Sequence, residues 1–146
     1  MATFGSWAYT CDADATRSAY AQAPCGGCEA CSCNGCRNFM QARTRMFPPA
    51  FIELLESLGI DPSKDGEIYH AGRLAPGEHV YGGWYHFVGA LHITGDFPVV
   101  SLGEHFTVWM RQRGSPCLKS LEGLPLVEVE FSATAVPWLL KEAEPV

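Results

Sequence analysis

The apolar positions of this chain change their period once, near residue 66, and that change organises the reading of its fold. Arg37 to Met46 contains neither Gly nor Pro, and Phe39, Met40, Arg43, Met46 and Phe47 recur at roughly helical spacing, which predicts a short helix beginning near Cys36. Pro48-Pro49 suits a new first turn. Phe51, Leu54, Leu55 and Leu58 then follow at i, i+3, i+4 and i+7, with Gly59 placed as the stop. Asp61-Pro62 and the polar run Ser63 to Gly66 lead out of this second helix as a turn.

From Glu67 onward the period is two. Glu67 to Tyr69 is a short candidate strand, and Val80 to Ile93 is a long one, with a bulge or bend expected at Gly82, Gly83 or Gly89. Phe106, Val108 and Met110 alternate with His105, Thr107, Trp109 and Arg111. Val127, Val129 and Phe131 alternate with Glu128, Glu130 and Ser132, the pattern of half-buried antiparallel sheet. Residues 1 to 24 read as an early strand followed by a loose loop. The predicted class is α+β: two short N-terminal helices packed on a mainly antiparallel sheet, with a cysteine-rich loop in front. With no repeats and no linker, residues 1–146 are expected to form a single domain, with the loop at 25–36, the helices at about 37–58 and the sheet at about 67–140.

Composition changes this picture in two respects. A chain that is 47% hydrophobic and 18% charged can bury a core of its own. Its formal charge of −6 repels phosphate backbones at long range, which disfavours nucleic acid as a partner. The basic stretch Arg37, Arg43 and Arg45 does not reverse this, because at about 100° per residue the three fall near 0°, 240° and 80° and form no stripe. The first residues carry no basic, apolar leader pattern, and no window approaches the roughly 20 apolar residues that span a bilayer, so no membrane association is expected. The expected location is cytoplasmic.

The candidate chemistry lies in the cysteines. Of seven, five fall within twelve residues: Cys25, Cys28, Cys31, Cys33 and Cys36. In a reducing compartment such crowding points to thiolates gathered for a metal. The spacing C-x2-C-x2-C-x-C-x2-C lets one turn direct two sulfurs at one ion, and zinc is the first candidate, because four soft anionic ligands saturate a tetrahedral Zn²⁺. Gly26, Gly27 and Gly35 fit a chain wrapping closely around an ion, with positive φ angles expected. Cys11, Cys117 and His86 are possible additional ligands. Cu(I) and an iron–sulfur cluster are the alternatives. Cys25-x2-Cys28-x2-Cys31 opens like a ferredoxin run, but the x3-Cys-Pro continuation is absent. Cys25-Gly-Gly-Cys28 has thioredoxin spacing without the strand and helix that flank such a motif.

Cys31-Ser-Cys33-Asn-Gly-Cys36-Arg37-Asn38-Phe39, the helix from Pro49 to Pro62, Tyr81-Gly-Gly-Trp-Tyr-His-Phe-Val-Gly89 and Val136-Pro-Trp138 together resemble a family of small bacterial proteins of unknown function with a C-x-C-x2-C-x-N-F signature. The resemblance spans most of residues 31 to 140. It implies that Cys31, Cys33 and Cys36 are the shared part of the site and that Cys25 and Cys28 are additions.

No catalytic arrangement emerges. The G-x-S-x-G elbow, both glycine-rich phosphate loops and H-E-x-x-H are missing from the sequence. His86 is expected as a buried or half-buried histidine bonded to a backbone carbonyl, and six residues of strand, about 20 Å, separate it from His92. His70, His79 and His105 show no usable spacing. Glu128 and Glu130 read as a solvated strand face. Trp84, Trp109 and Trp138 read as core, with Pro137 and Trp138 packing down a terminal segment. Two functions follow: a non-enzymatic module with a structural zinc site and a protein partner, or a protein whose cysteines themselves handle Cu(I) or zinc or carry thiol redox chemistry.

Overall fold

The computed structural model describes residues 1–92, 99–112 and 118–145. The chain runs β1 (Ala2–Phe4), β2 (Trp7–Cys11), α1 (Ala13–Gln22), α2 (Gly27–Ala30), α3 (Asn34–Met46), α4 (Pro49–Ser57), β3 (Glu67–Ala75), β4 (Glu78–Leu91), β5 (Val100–Ser101), β6 (Phe106–Gln112) and β7 (Leu126–Val136). A 3-10 turn, Lys119–Leu121, lies between β6 and β7. The class is α+β, as the change of period predicts. Among the described residues the sheet is antiparallel and has seven strands in the order β1-β2-β4-β7-β6-β5, with β3 also on β4.

Three features differ from the sequence reading. Four helices rather than two precede β3, and a hairpin precedes them. The expected loose loop after the first strand is α1, whose Asp12 caps it by accepting from Ala15 N at 3.0 Å. Its buried positions, Thr16, Ala19 and Tyr20, are small or polar, so they carry little hydrophobic signal. Third, β4 pairs with β7 without interruption from Tyr81 to Val88, and the register shift lies between His79 and Tyr81 rather than at a glycine. Gly82, Gly83 and Gly89 serve close packing instead. A Cβ on Gly82 would fall 2.3 Å from Tyr69 Oη, and one on Gly89 would fall 2.0 Å from Thr10 O.

The second predicted helix stands as expected. Pro49 occupies the first turn of α4. Gly59 takes φ +82°, with its N–H on Glu56 O at 3.1 Å and the Ile60 N–H on Leu55 O at 3.0 Å, the paired closure that an αL residue permits. Helices α3 and α4 lay Phe39, Phe47 and Phe51 against Tyr85, Phe106 and Phe131, all buried. Phe106 and Phe131 stack at 5.4 Å, and Phe47 meets Phe131 edge-on at 5.1 Å.

One edge of β4 is shared by three partners. β3 pairs with it as far as Trp84, and β2 pairs with it from Gly89. Between them α1 takes the place of a strand. Tyr20 Oη donates to His86 O at 2.8 Å and accepts from His86 N at 3.1 Å. Thr16 Oγ1 accepts from Val88 N at 2.9 Å, and Asp12 N donates to Val88 O at 2.8 Å. Buried backbone groups must find partners, and here two side chains and one cap amide supply them. Tyr20→Phe therefore strips both His86 groups at once and should lower stability by about 1–3 kcal/mol in urea unfolding. A loss under about 0.5 kcal/mol would mean that water replaces the hydroxyl.

Candidate metal centre

The cysteine segment is built in two halves. In the first, Gly26 and Gly27 press against the turn before β3, where Cβ atoms would fall 2.6 Å from Asp65 N and 2.8 Å from Gly66 O. Gly27 N donates to Asp65 O at 2.9 Å and Cys28 N to Asp65 Oδ2 at 3.0 Å, which starts the one-turn helix α2. Asp65 is buried, and desolvation pushes its carboxyl up while the Cys28 amide pulls it back. The expected positive φ angles are absent here: Gly26 sits at φ −81°, and neither Gly27 nor Gly35 is in the left-handed region. Space rather than handedness explains Gly26 and Gly27.

In the second half, α3 starts at Asn34, earlier than the spacing predicts, and Cys33 rather than Cys36 opens it. Cys33 Sγ accepts the Cys36 N–H at 3.3 Å as the cap of the helix. That N–H holds the Cys33 thiol below its ordinary pKa, whereas burial pushes Cys36 up to about 12. The Sγ atoms of Cys31, Cys33 and Cys36 all lie within 4.8 Å of one another, the first two exposed and the third buried. A tetrahedral ion with Zn–S bonds of about 2.3 Å holds its sulfurs about 3.8 Å apart, so these three need close by no more than about 1 Å. The cluster can hold a metal ion.

Of the other candidate ligands, Cys28 touches this group through the Cys36 thiol, and Cys25, Cys11 and His86 stand apart from it. Cys28 is fully buried and its thiol donates to Cys36 O at 3.3 Å, with burial and the neighbouring thiols pushing its pKa up. Cys25 is half-buried and lines a surface hollow with Ala23, Pro24, Leu118 and Lys119. Cys11, on β2, donates to Leu58 O at 3.5 Å. Cys117 lies outside the described residues.

His86 sits elsewhere, on the sheet face turned away from α3 and α4. It is 1% exposed, and its Nε2 lies 3.2 Å from Glu128 Oε1, so a carboxylate meets its ring where a backbone carbonyl was expected. Glu128 is likewise buried, at 3% exposure, which corrects its reading as part of a solvated face. Glu130 is held up to about 7, first by desolvation and then by the hydrogen bond and charge of Glu128, against Arg111 and Trp109.

The sequence reading missed a second constellation beside the thiols. His70 Nε2 and His79 Nδ1 are 2.7 Å apart, and His79 Nε2 lies 3.0 Å from Glu144 Oε1. Glu144 also accepts from Gly77 N at 2.9 Å and pairs with Arg73 at 3.5 Å. The available signal was Pro76-Gly77, a turn that makes Glu67–Ala75 and Glu78–Leu91 a hairpin and brings His70 and His79 together. His70 is the register partner of Tyr81, so the two share a face, and Tyr81 Oη donates to Gly35 O at 2.8 Å. A Cβ on Gly35 would fall 3.4 Å from His70 Cβ and 3.9 Å from Cys33 Sγ.

Comparison with protein-family models, curated proteins and solved structures finds no match to this chain. Among the described residues no helix is long and apolar enough to cross a membrane.

The Glu130 environment generates a pH prediction. Its folded pKa of about 7 exceeds the ordinary value of 4.5, so the folded state keeps a proton that the unfolded chain releases between those values, and stability falls as pH rises through that window. Glu130→Gln should remove this component, of order 1–3 kcal/mol, so that the variant gains on the parent between pH 4.5 and 7 in thermal melts. Parallel pH profiles for the two proteins would refute the shared proton.

Proposed function

We propose that this protein is a non-catalytic zinc-binding module in which Cys31, Cys33 and Cys36 hold the ion and the ion fixes the cysteine segment and the start of α3 against the sheet. The observation that carries this reading is the gathering of those three sulfurs at one helix N-terminus, within the reach of a single tetrahedral ion. Zinc bonds to thiolates form only in the folded arrangement, so binding free energy becomes folding free energy, of order 10 kcal/mol in small zinc peptides. The thiols need a reducing compartment such as the cytoplasm to stay unpaired. The partner of such a module is another protein, because the net charge of −6 opposes nucleic acid.

A second reading is favoured by one specific observation. Cys31 and Cys33 are exposed, and an accessible site of few sulfurs suits a protein that takes up and passes on Cu(I) or zinc. Elemental analysis and melting of protein purified without added metal separate the two. A structural site gives about one zinc per chain, abolished by Cys33→Ser or Cys36→Ser and kept in Cys11→Ser. Chelation should then lower Tm by about 10 °C, equivalent to a few kcal/mol for a chain of this size. Copper in the purified protein, or an unchanged Tm after zinc removal, would transfer the case to metal handling. Protein that binds neither metal would end both readings.

A further inference from the structure

Three gathered thiols leave a tetrahedral ion one ligand short, and the structure narrows the choice of the fourth. Cys28 touches the Cys36 thiol and is the rival for that place, but it lies outside the trio of mutually close sulfurs, fully buried with its S–H on Cys36 O. Cys25 belongs to a different hollow, beside Leu118. On the remaining side stands β3, whose His70 faces α3 from across Gly35.

We propose that His70, through Nδ1, is the fourth ligand of the ion held by Cys31, Cys33 and Cys36, with His79 and Glu144 fixing its tautomer from behind. This rests on the metal-binding reading above and specifies its coordination. The argument follows the direction of the hydrogen bonds. The Glu144 carboxylate only accepts, and it lies on His79 Nε2; when that nitrogen holds the one ring proton, His79 presents a lone pair at Nδ1. His70 must then donate from Nε2, which leaves the lone pair of His70 on Nδ1. That atom has no protein partner among the described residues. Metal-bound histidines commonly donate their second ring N–H to a carboxylate or another acceptor, which orients the ring and raises its basicity, and here the acceptor is a histidine backed by a carboxylate.

The surroundings hold the imidazole in place. Its ring lies against that of Tyr81 at 5.1 Å, and Tyr81 in turn grips Gly35 O in the first turn of α3. His79 is fully buried and packs on Trp138 at 5.2 Å, so the rear of the chain is fixed. The His70 nitrogens fall outside the 4.8 Å thiol group, and ligation draws the exposed Cys33 side chain and the His70 ring together. Zinc would thereby join the helix that carries the cysteines to the β3–β4 hairpin.

The test loads the full-length protein with zinc for X-ray absorption and with cobalt(II) for visible spectroscopy, alongside His70→Ala and His79→Gln. Three sulfurs and one nitrogen, with the outer-shell scattering of one imidazole, are expected in the parent. His70→Ala should lose that scattering, shift the cobalt d–d bands and weaken zinc affinity by at least the 10–100-fold that loss of an outer-shell partner costs. His79→Gln should retain the imidazole signal while weakening affinity within that range. A four-sulfur shell, or spectra and affinity unchanged in His70→Ala, would overturn the assignment while leaving the cysteine site intact. Absence of zinc and cobalt uptake by the parent would overturn the cysteine site as well.

Discussion

Backbone hydrogen bonding along β4 is the constraint on which the rest of the molecule depends. A strand of fourteen residues that is largely buried must find a partner for each inward and lateral amide, and no single neighbour on its open edge is long enough. β3, α1 and β2 divide that edge among them, and each division fixes something else. The β3 segment brings His70 opposite Tyr81; the α1 segment places Tyr20 and Thr16; the β2 segment ties the N-terminal hairpin to the sheet. Tyr81, on the same strand, reaches out of the sheet to the first turn of α3. The cysteine motif is thus carried by a helix whose position is set by the sheet.

This placement bears on what a metal would add. An ion would add order only to the second half of the cysteine segment. Residues 26 to 28 are already held by the Asp65-Gly66 turn through backbone and carboxylate hydrogen bonds. Cys31 and Cys33 are held only by neighbours in their own segment, through Cys31 N on Cys28 O at 3.2 Å, Arg37 N on Cys33 O at 3.0 Å and the cap of Cys33 on Cys36 N. The helix N-terminus favours negative charge there, whereas burial disfavours it at Cys36, so the group combines one thiol that ionises readily with one that does not. A divalent cation resolves that tension, since coordination deprotonates a thiol outright. Its ordering effect therefore falls on 31–36 and the start of α3, and it reaches the stability of the whole through the docking of that helix on the sheet.

The sequence disclosed the parts of this architecture that announce themselves by period or by a special residue. α4, with Pro49 at its start and Gly59 at its stop, and the alternation in β6 and β7 were legible because packing dictates both pattern and punctuation. α1 was not, because its inward face uses Thr16, Ala19 and Tyr20 to satisfy a strand edge, which leaves no apolar stripe. Glu128 was misread because alternation reports which way a residue points, not what covers it. At the candidate centre, C-x-C-x2-C was visible as spacing and as the shared part of the resemblance, while the docking of Gly26 and Gly27 against Asp65 was not, because that contact is with a residue far along the chain. His70 and His79 were invisible for a related reason: their proximity is a property of hairpin register, which appears only once β3 is known to extend to Ala75.

Two histidines on β4 show why burial and a carboxylate do not by themselves define a site. His79 and His86 are both almost wholly buried, and each meets a glutamate, Glu144 in one case and Glu128 in the other. Seven residues of strand separate them, an odd number, so they lie on opposite faces. On the face away from α3 and α4, Glu128 is the register partner of His86, and it also hydrogen-bonds Glu130, whose pKa burial and Glu128 raise. Among the described residues the gathered thiols lie elsewhere. On the other face the same pairing is extended by one more ring, His70, to the surface corner where three thiols converge. A buried ion pair in isolation adds little to stability and need not do chemistry. What distinguishes the His79 pair is that it continues through His70 toward the first turn of α3, which carries Cys36 and is capped by Cys33.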